Sequence, residues 1–190
     1  MMEITIFGKG NMGKAIGGNF EKAGNRVTYG GRDFKGSLGD VVVLAVPYGA
    51  VDSILAVHKD ELAGKVLVDI TNPVNFDTFD GLVVPADSSA AAEIQKKVPE
   101  ALVVKAFNTT FAGVLAAGKV GDKEPAVVLA ASDSEEAKKT LAEALEGSGL
   151  SVVDAGSLKR AREMEALGFL QISLAAREKI SWTGGFAVIH

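Results

Sequence analysis

Six residues near the start of the chain, Gly8-Lys9-Gly10-Asn11-Met12-Gly13, have the types and spacing to hold a pyrophosphate. They follow a strand-like run, "EITIF", and open a helix-like run. In such a turn the first glycine permits the tight bend, and the second lets backbone approach the phosphates. The third lets the helix pack closely on the strand. The free N–H groups of the helix's first turn and the positive end of its dipole then attract the anion. The pattern alone is weak, because a βα turn can carry incidental glycines. Its context, with a second strand on schedule, favours a dinucleotide.

Which dinucleotide depends on the end of that second strand. NAD sites place a carboxylate there for the ribose 2′-hydroxyl, and NADP sites a cation for the 2′-phosphate. The chain reads "YGGRD", with Arg32 nineteen residues after Gly13. A guanidinium fork suits a phosphate, and Gly30 and Gly31 leave room for one. Asp33 could hold a hydroxyl or pair with Arg32, and Arg32 could equally be a solvated charge on an edge strand. NADP is the expectation.

Three later turns fall where strands end: "AVPYGAV", "DITNPVN" and "VKAFNTTF". Open α/β sheets bind ligands outside the carboxyl ends of their strands. Asn72 and Asn108 can bond a carboxamide without bringing charge, and can as readily hold their own turns. Tyr48 could stack at a nicotinamide, donate a proton or simply pack. The two histidines, His58 in the polar stretch "VHKDE" and His190 at the end, read as bland. No metal-ligand spacing occurs. No catalytic side chain and no metal site is therefore assigned.

The elements that must position these residues are legible in outline. Runs such as "DVVVLAV", "KVLVDI", "ALVVKAF" and "AVVLAA" are continuously apolar, as strands buried on both faces are. Helices are expected over about Asn11 to Ala23 and Val51 to Leu62. Another is expected after Ser88 or Ser89, and another from Ser132 with Glu135 as a capping box. The last is expected from Leu158 to Glu178, with an apolar face of Leu158, Ala161, Met164, Leu167, Leu170 and Leu174. Only eight residues, Asp33 to Asp40, separate Arg32 from the next strand. A helical crossover needs at least about 10. The fold class expected is therefore α/β, a Rossmann-like, doubly wound, mostly parallel sheet. The third strand of its first half should be missing, and the second strand should become an edge. Residues 1–155 would form the nucleotide domain and residues 156–190 a helical appendage packed on it.

Composition narrows the classes. The net charge of −4 offers no basic surface for nucleic acid. The absence of cysteine excludes disulfides and thiolate chemistry. No apolar run approaches the ~20 residues that span a bilayer, and the start lacks the basic and apolar regions of a signal peptide. A cytoplasmic protein is expected. Trp182, Phe186, Val188 and Ile189 crowd the tail. They must dock on the chain's own sheet or meet a second copy in a homodimer, because monomers rarely leave such patches in water.

Taken in order, "GKGNMG", "GGR", "AVPY", "DITNP", "VKAFN" and "DAGSLKRARE" resemble the deazaflavin (factor 420) dependent NADP oxidoreductase family. They are also similar to the oxidoreductase domain of the six-transmembrane metalloreductases. The resemblance implies that Arg32 binds the 2′-phosphate. It implies that Val46, Pro47 and Asn72 line the ribose and nicotinamide region, and that Ala106, Phe107 and Asn108 help hold the nicotinamide end. It implies hydride transfer between NADPH and a small-molecule acceptor, a deazaflavin, FMN or FAD. Such transfer needs stacking and exclusion of water rather than acid–base groups. Two other readings stay open, a non-enzymatic NADP sensor and a β-hydroxyacid or imine dehydrogenase. The latter would need a long helical second domain, whereas about 35 residues follow "DAG".

Overall fold

The first run, β1 (Glu3–Phe7), becomes the hub of the sheet, because its neighbours on both sides arrive in parallel. The computed structural model describes residues 1–31 and 33–189. After β1 come α1 (Asn11–Lys22), β2 (Arg26–Gly30), β3 (Val41–Leu44), α2 (Tyr48–His58) and β4 (Val66–Asp69). Then follow α3 (Ala90–Lys97), β5 (Leu102–Ala106), α4 (Ala112–Ala117) and a small hairpin of β6 (Lys119–Val120) and β7 (Glu124–Pro125). The chain closes with β8 (Val127–Ala131), α5 (Glu135–Leu145), β9 (Ser151–Gly156), a 3₁₀ turn (Leu158–Arg160) and α6 (Ala161–Ala176). No helix among the described residues is long and apolar enough to cross a membrane.

The strand order is β2-β1-β3-β4-β5-β8-β9. The first five strands are parallel; β8 pairs antiparallel with β5, and β9 runs parallel to β8. This is the expected doubly wound sheet with one strand and its helix omitted, and β2 is an edge. The short return after β2 is possible because it hugs β1. The Gly39 N–H donates to Thr5 Oγ1 at 2.9 Å and the Asp40 N–H to the Glu3 carbonyl at 2.8 Å. A side chain at Gly39 would collide with the Glu3 carbonyl.

Strand alternation divides the core in two. Val41, Val43, Val66, Val68 and Val104 face Phe20 of α1 and Leu141 of α5. Val42, Leu44, Leu67 and Val103 face Leu55 of α2 and Ile94 of α3. Both faces being covered explains why the strands read as unbroken apolar runs.

Local details differ from the sequence-based expectations where a side chain has a tertiary use. α2 starts at Tyr48, directly after Pro47, and ends at His58 rather than Leu62. α5 is capped by Ser134, which accepts from the Ala137 N–H at 3.1 Å. Ser132 instead donates to the Val103 carbonyl at 2.6 Å and ties β8 to β5. α6 buries Ala161, Met164, Glu165, Gly168, Gln171 and Ala175, while Leu170 is exposed and Leu167 and Leu174 are half-buried. The face chosen for burial is the one that can bond the loops beneath it.

Candidate cofactor site

The glycine turn sits between the carboxyl ends of β1 and β3. Gly8 has φ +114°, and any side chain there would strike the Ala45 carbonyl; one at Gly13 would strike the Gly8 carbonyl. Gly10 has nothing within 4 Å of where a Cβ would stand. Two of these glycines are thus required by the fold. The middle one leaves open space at the N-cap of α1, where no side-chain cap and no acid in the first turn is found. A ligand anion can reach those N–H groups directly.

Two cavities flank this turn. One, of about 370 Å³, is lined by Lys9, Gly30, Gly31, Val46 and Ser53 among others. Arg32 lies outside the described residues, and its neighbour Gly31 lines this cavity. The other, of about 430 Å³, is bounded by Asn11, Met12, Asn72, Asn108, Phe111 and Trp182, and none of its lining residues is charged. The two lie on either side of the turn, one lined by Gly8 and Lys9 and the other by Asn11 and Met12, with the bare end of α1 between them.

The remaining sequence-derived positions are placed as follows. Pro47 is exposed and is the N-cap of α2. Tyr48 lines neither cavity; it packs against the core on the α2–α3 side, and burial raises its phenol above the ordinary range. Ala106 and Phe107 are fully buried, and Phe107 packs edge-on against Phe20 with ring centres 6.1 Å apart. Phe107 has φ +63°, a conformation costly for a side-chain-bearing residue. It turns the chain so that Asn108 follows at the cavity. These two residues shape the site through backbone rather than side chain.

Asn72 and Asn108 hold one another. The Asn72 Nδ2 donates to the Asn108 carbonyl at 3.0 Å, and the Asn108 Nδ2 donates to Asn72 Oδ1 and to the Met164 carbonyl, both at 2.9 Å. A side chain at Gly168 of α6 would strike Asn72 Oδ1. Among the described residues, two buried side-chain oxygens have no protein partner, Asn108 Oδ1 and Thr71 Oγ1. The asparagines therefore do both things the sequence allowed: they lock the turn and border the cavity.

Beneath them lies a charged cluster that the motif reading missed. Lys105 of β5 is fully buried and bonds Asp69 Oδ2 and Glu165 Oε1, each at 2.8 Å, and the Thr71 carbonyl. The other Asp69 oxygen accepts from the Thr71 N–H at 2.9 Å. The Glu165 carboxylate also accepts from the N–H groups of Ala90 and Ala91, at 2.8 and 3.3 Å, at the start of α3. Burial pushes the Glu165 carboxyl up, and Lys105 opposes the shift. A signal existed: a lysine inside the continuous run "LVVKAF" must find a buried anion. His58, read as bland from its polar stretch, is less exposed than that stretch suggests. It is buried, its ring lies against Phe7 and Phe34, and its Nδ1 meets Glu61 Oε1 at 3.0 Å.

The tail reaches the uncharged cavity. Trp182 and Thr183 line the uncharged cavity. Trp182 lies against Phe111 with ring centres 4.9 Å apart, and the Gly121 N–H donates to the Thr183 carbonyl at 2.8 Å. The Phe186 N–H donates to Gln171 Oε1 at 3.0 Å. Phe186 and Ile189 nonetheless remain 44% and 82% exposed.

Comparison with known proteins agrees with the sequence motifs. The family model described as NADP oxidoreductase, coenzyme F420-dependent, matches residues 36–73. An F420-dependent NADP reductase of Methanocaldococcus jannaschii is 33% identical over 150 residues, 77% of this chain and 66% of the relative. The metalloreductase STEAP3 of Rattus norvegicus is 30% identical over 184 residues, 87% of this chain and 36% of the relative. The chain thus spans about two thirds of the first relative's length and about a third of the second's. A crystal structure of a putative F420-dependent NADP reductase from Arthrobacter sp. FB24 superimposes with a TM-score of 0.84. It is 26% identical, and 100% of each chain is covered.

Proposed function

The chain is a relative of the coenzyme F420-dependent NADP oxidoreductases. From that premise we propose that it moves a hydride between NADP(H) and a deazaflavin or flavin ring. The observation that carries this reading is the bare N-terminus of α1 at Gly10, set between a cavity on the β2 side and an uncharged cavity beyond Asn72. The names of the relatives support NADP and a deazaflavin acceptor.

Bound NADPH supplies the hydride from its nicotinamide C4, two electrons with one proton. The chain's own residues bind, orient and keep water away. The first-turn N–H groups of α1 hold the pyrophosphate, and Arg32 takes the 2′-phosphate beside Gly31. Val46, expected at the ribose and nicotinamide region, instead lines the cavity beside Gly31 and so borders the adenosine side. Asn11, Met12 and the Asn72–Asn108 pair border the nicotinamide side, whose uncharged amides suit a carboxamide. The absence of charge from this cavity's lining favours a neutral ring over a small hydroxyacid, which would require a cation for its carboxylate. On this reading residues 1–155 hold the nucleotide, and residues 156–190 complete the acceptor side.

The test is NADPH oxidation with FMN, FAD, riboflavin and a deazaflavin, together with NADPH and NADH titrations of wild type and Arg32→Ala. The expected results are turnover with at least one ring and NADPH preferred to NADH. NADPH affinity should drop about 10- to 100-fold in the variant, the loss of one charge-assisted contact. Tight NADPH binding with no ring reduced would leave the sensor reading in place.

We also propose a homodimer built on the tail and α6, supported by the exposure of Leu170, Phe186 and Ile189. Light scattering at micromolar concentration should give twice the chain mass, and half that mass after truncation beyond Lys179. A full-length monomer would refute it.

A further inference from the structure

We infer that Trp182, backed by Phe111, is the ring-binding wall of the acceptor subsite and selects planar fused-ring acceptors. The inference rests on the hydride-transfer reading above and adds the residue that recognises the acceptor. Trp182 is the only tryptophan of the chain. It lines the uncharged cavity of about 430 Å³, across which stand Asn11 and Met12 of the α1 start. Just over half of its surface, 54%, stays accessible, although its ring already lies on Phe111 at 4.9 Å.

The segment that carries it is held from several directions. The Thr183 carbonyl accepts from Gly121, and Phe186 is bonded to Gln171, whose amide donates to the Thr109 carbonyl at 2.7 Å. Gly113 lacks a side chain where one would come within 3.1 Å of the Trp182 carbonyl and Thr183 Cγ2, so the tail can lie close against α4. An exposed indole held in place on the wall of an uncharged cavity offers a π-face to a ligand. Ile70, Ile172 and Met12 surround the same space, while Asn72 and Asn108 supply its neutral polar side. That combination, one stacking face, apolar sides and uncharged amides, matches a flavin or 5-deazaflavin ring system. It offers nothing to a carboxylate or a phosphate.

Because Trp182 is unique, its fluorescence reports on this subsite alone. FMN and 5-deazariboflavin are titrated into the NADP-loaded wild-type protein, following tryptophan emission. Binding to wild type, Trp182→Ala and Trp182→Phe is measured separately by equilibrium dialysis, with 2′,5′-ADP binding as the reading of the nucleotide side. The expected result is saturable quenching in wild type. The ring Kd should rise about tenfold or more in Trp182→Ala and stay within about threefold of wild type in Trp182→Phe. The 2′,5′-ADP Kd should stay the same throughout. Ring binding without quenching, or equal affinity in Trp182→Ala, would overturn the inference; continued NADPH oxidation in that case would leave hydride transfer standing. Quenching and weakened binding without any NADPH oxidation would uphold the wall and sink hydride transfer. Failure of either ring to bind would overturn the wall.

Discussion

Two helix N-termini at the carboxyl edge of this sheet are finished in opposite ways. The first turn of α1 begins at Gly10 with open space and no side-chain cap. The first turn of α3 begins at Ser89, whose side chain accepts from the Ala92 N–H at 3.0 Å, and the Glu165 carboxylate of α6 takes the N–H groups of Ala90 and Ala91. Each end carries unsatisfied donors and a partial positive charge. At α3 the chain supplies the anion from within, and Lys105 balances that anion's charge. At α1 no side chain among the described residues supplies one. The filled end is therefore structural, and the bare end is where the proposed function seats a ligand's phosphates.

The largest effect is expected where the filled end is unbalanced. Lys105→Met leaves Asp69 and Glu165 as buried carboxylates with no cation between them. Breaking a buried ion cluster in this way costs about 3–5 kcal/mol, to be read from urea unfolding at neutral pH. The Glu165 carboxyl, already pushed up by burial and now without the opposing lysine, then binds its proton more tightly in the folded than in the unfolded chain. Stability of the variant should therefore rise as pH falls from neutral toward the ordinary carboxylate range, and fall as pH rises through the elevated folded value. A loss that is small, or that deepens on mild acidification, would show that the cluster does not hold α6 and α3 together by charge.

A smaller and opposite effect is expected from closing the bare end. Gly10 has φ −74° and ψ −174°, which an aspartate adopts without strain. Gly10→Asp should leave stability unchanged or raise it by up to about 1 kcal/mol through capping and the helix dipole. NADPH affinity should fall about 10- to 100-fold, because an internal carboxylate now occupies the pyrophosphate's place. Thermal unfolding and an NADPH titration on the same sample separate the two. Unchanged affinity would mean that the phosphates do not bind at α1.

Much of this contrast was legible in sequence on one side only. The turn "GKGNMG" announced the bare end because everything it needs is local: three glycines, a strand before and a helix after. The missing third strand was legible too, since chain length bounds a crossover. The filled end was not. Glu165 reaches Ala90 from 75 residues away, and nothing local in the sequence sets it apart from Glu163 two residues before it. Asn72 and Asn108 sat in recognisable motifs, but their mutual bond is 36 residues long-range and invisible in either motif. Trp182 was legible as an apolar residue needing cover, not as part of a cavity wall.

The sequence by itself determined the seven strands of the main sheet, five of the helices, the doubly wound class and the glycine turn, but not α4 or the β6–β7 hairpin. These follow from periodicity, steric permission at glycine and chain length, which act over a few residues. Only the tertiary structure decided which face of α6 is inside. Hydrophobic spacing pointed to Leu158, Ala161, Met164, Leu167, Leu170 and Leu174; the first three are buried as expected, but Glu165, Gly168 and Gln171 go inside ahead of the last three leucines. The physical reason is that the surface beneath α6 is not apolar: it presents Lys105, the free N–H groups of α3, the Asn72 oxygen and the Thr109 carbonyl. Polar groups shut away from water must be paired, so partners brought together only by folding override the preference of the leucines for the interior.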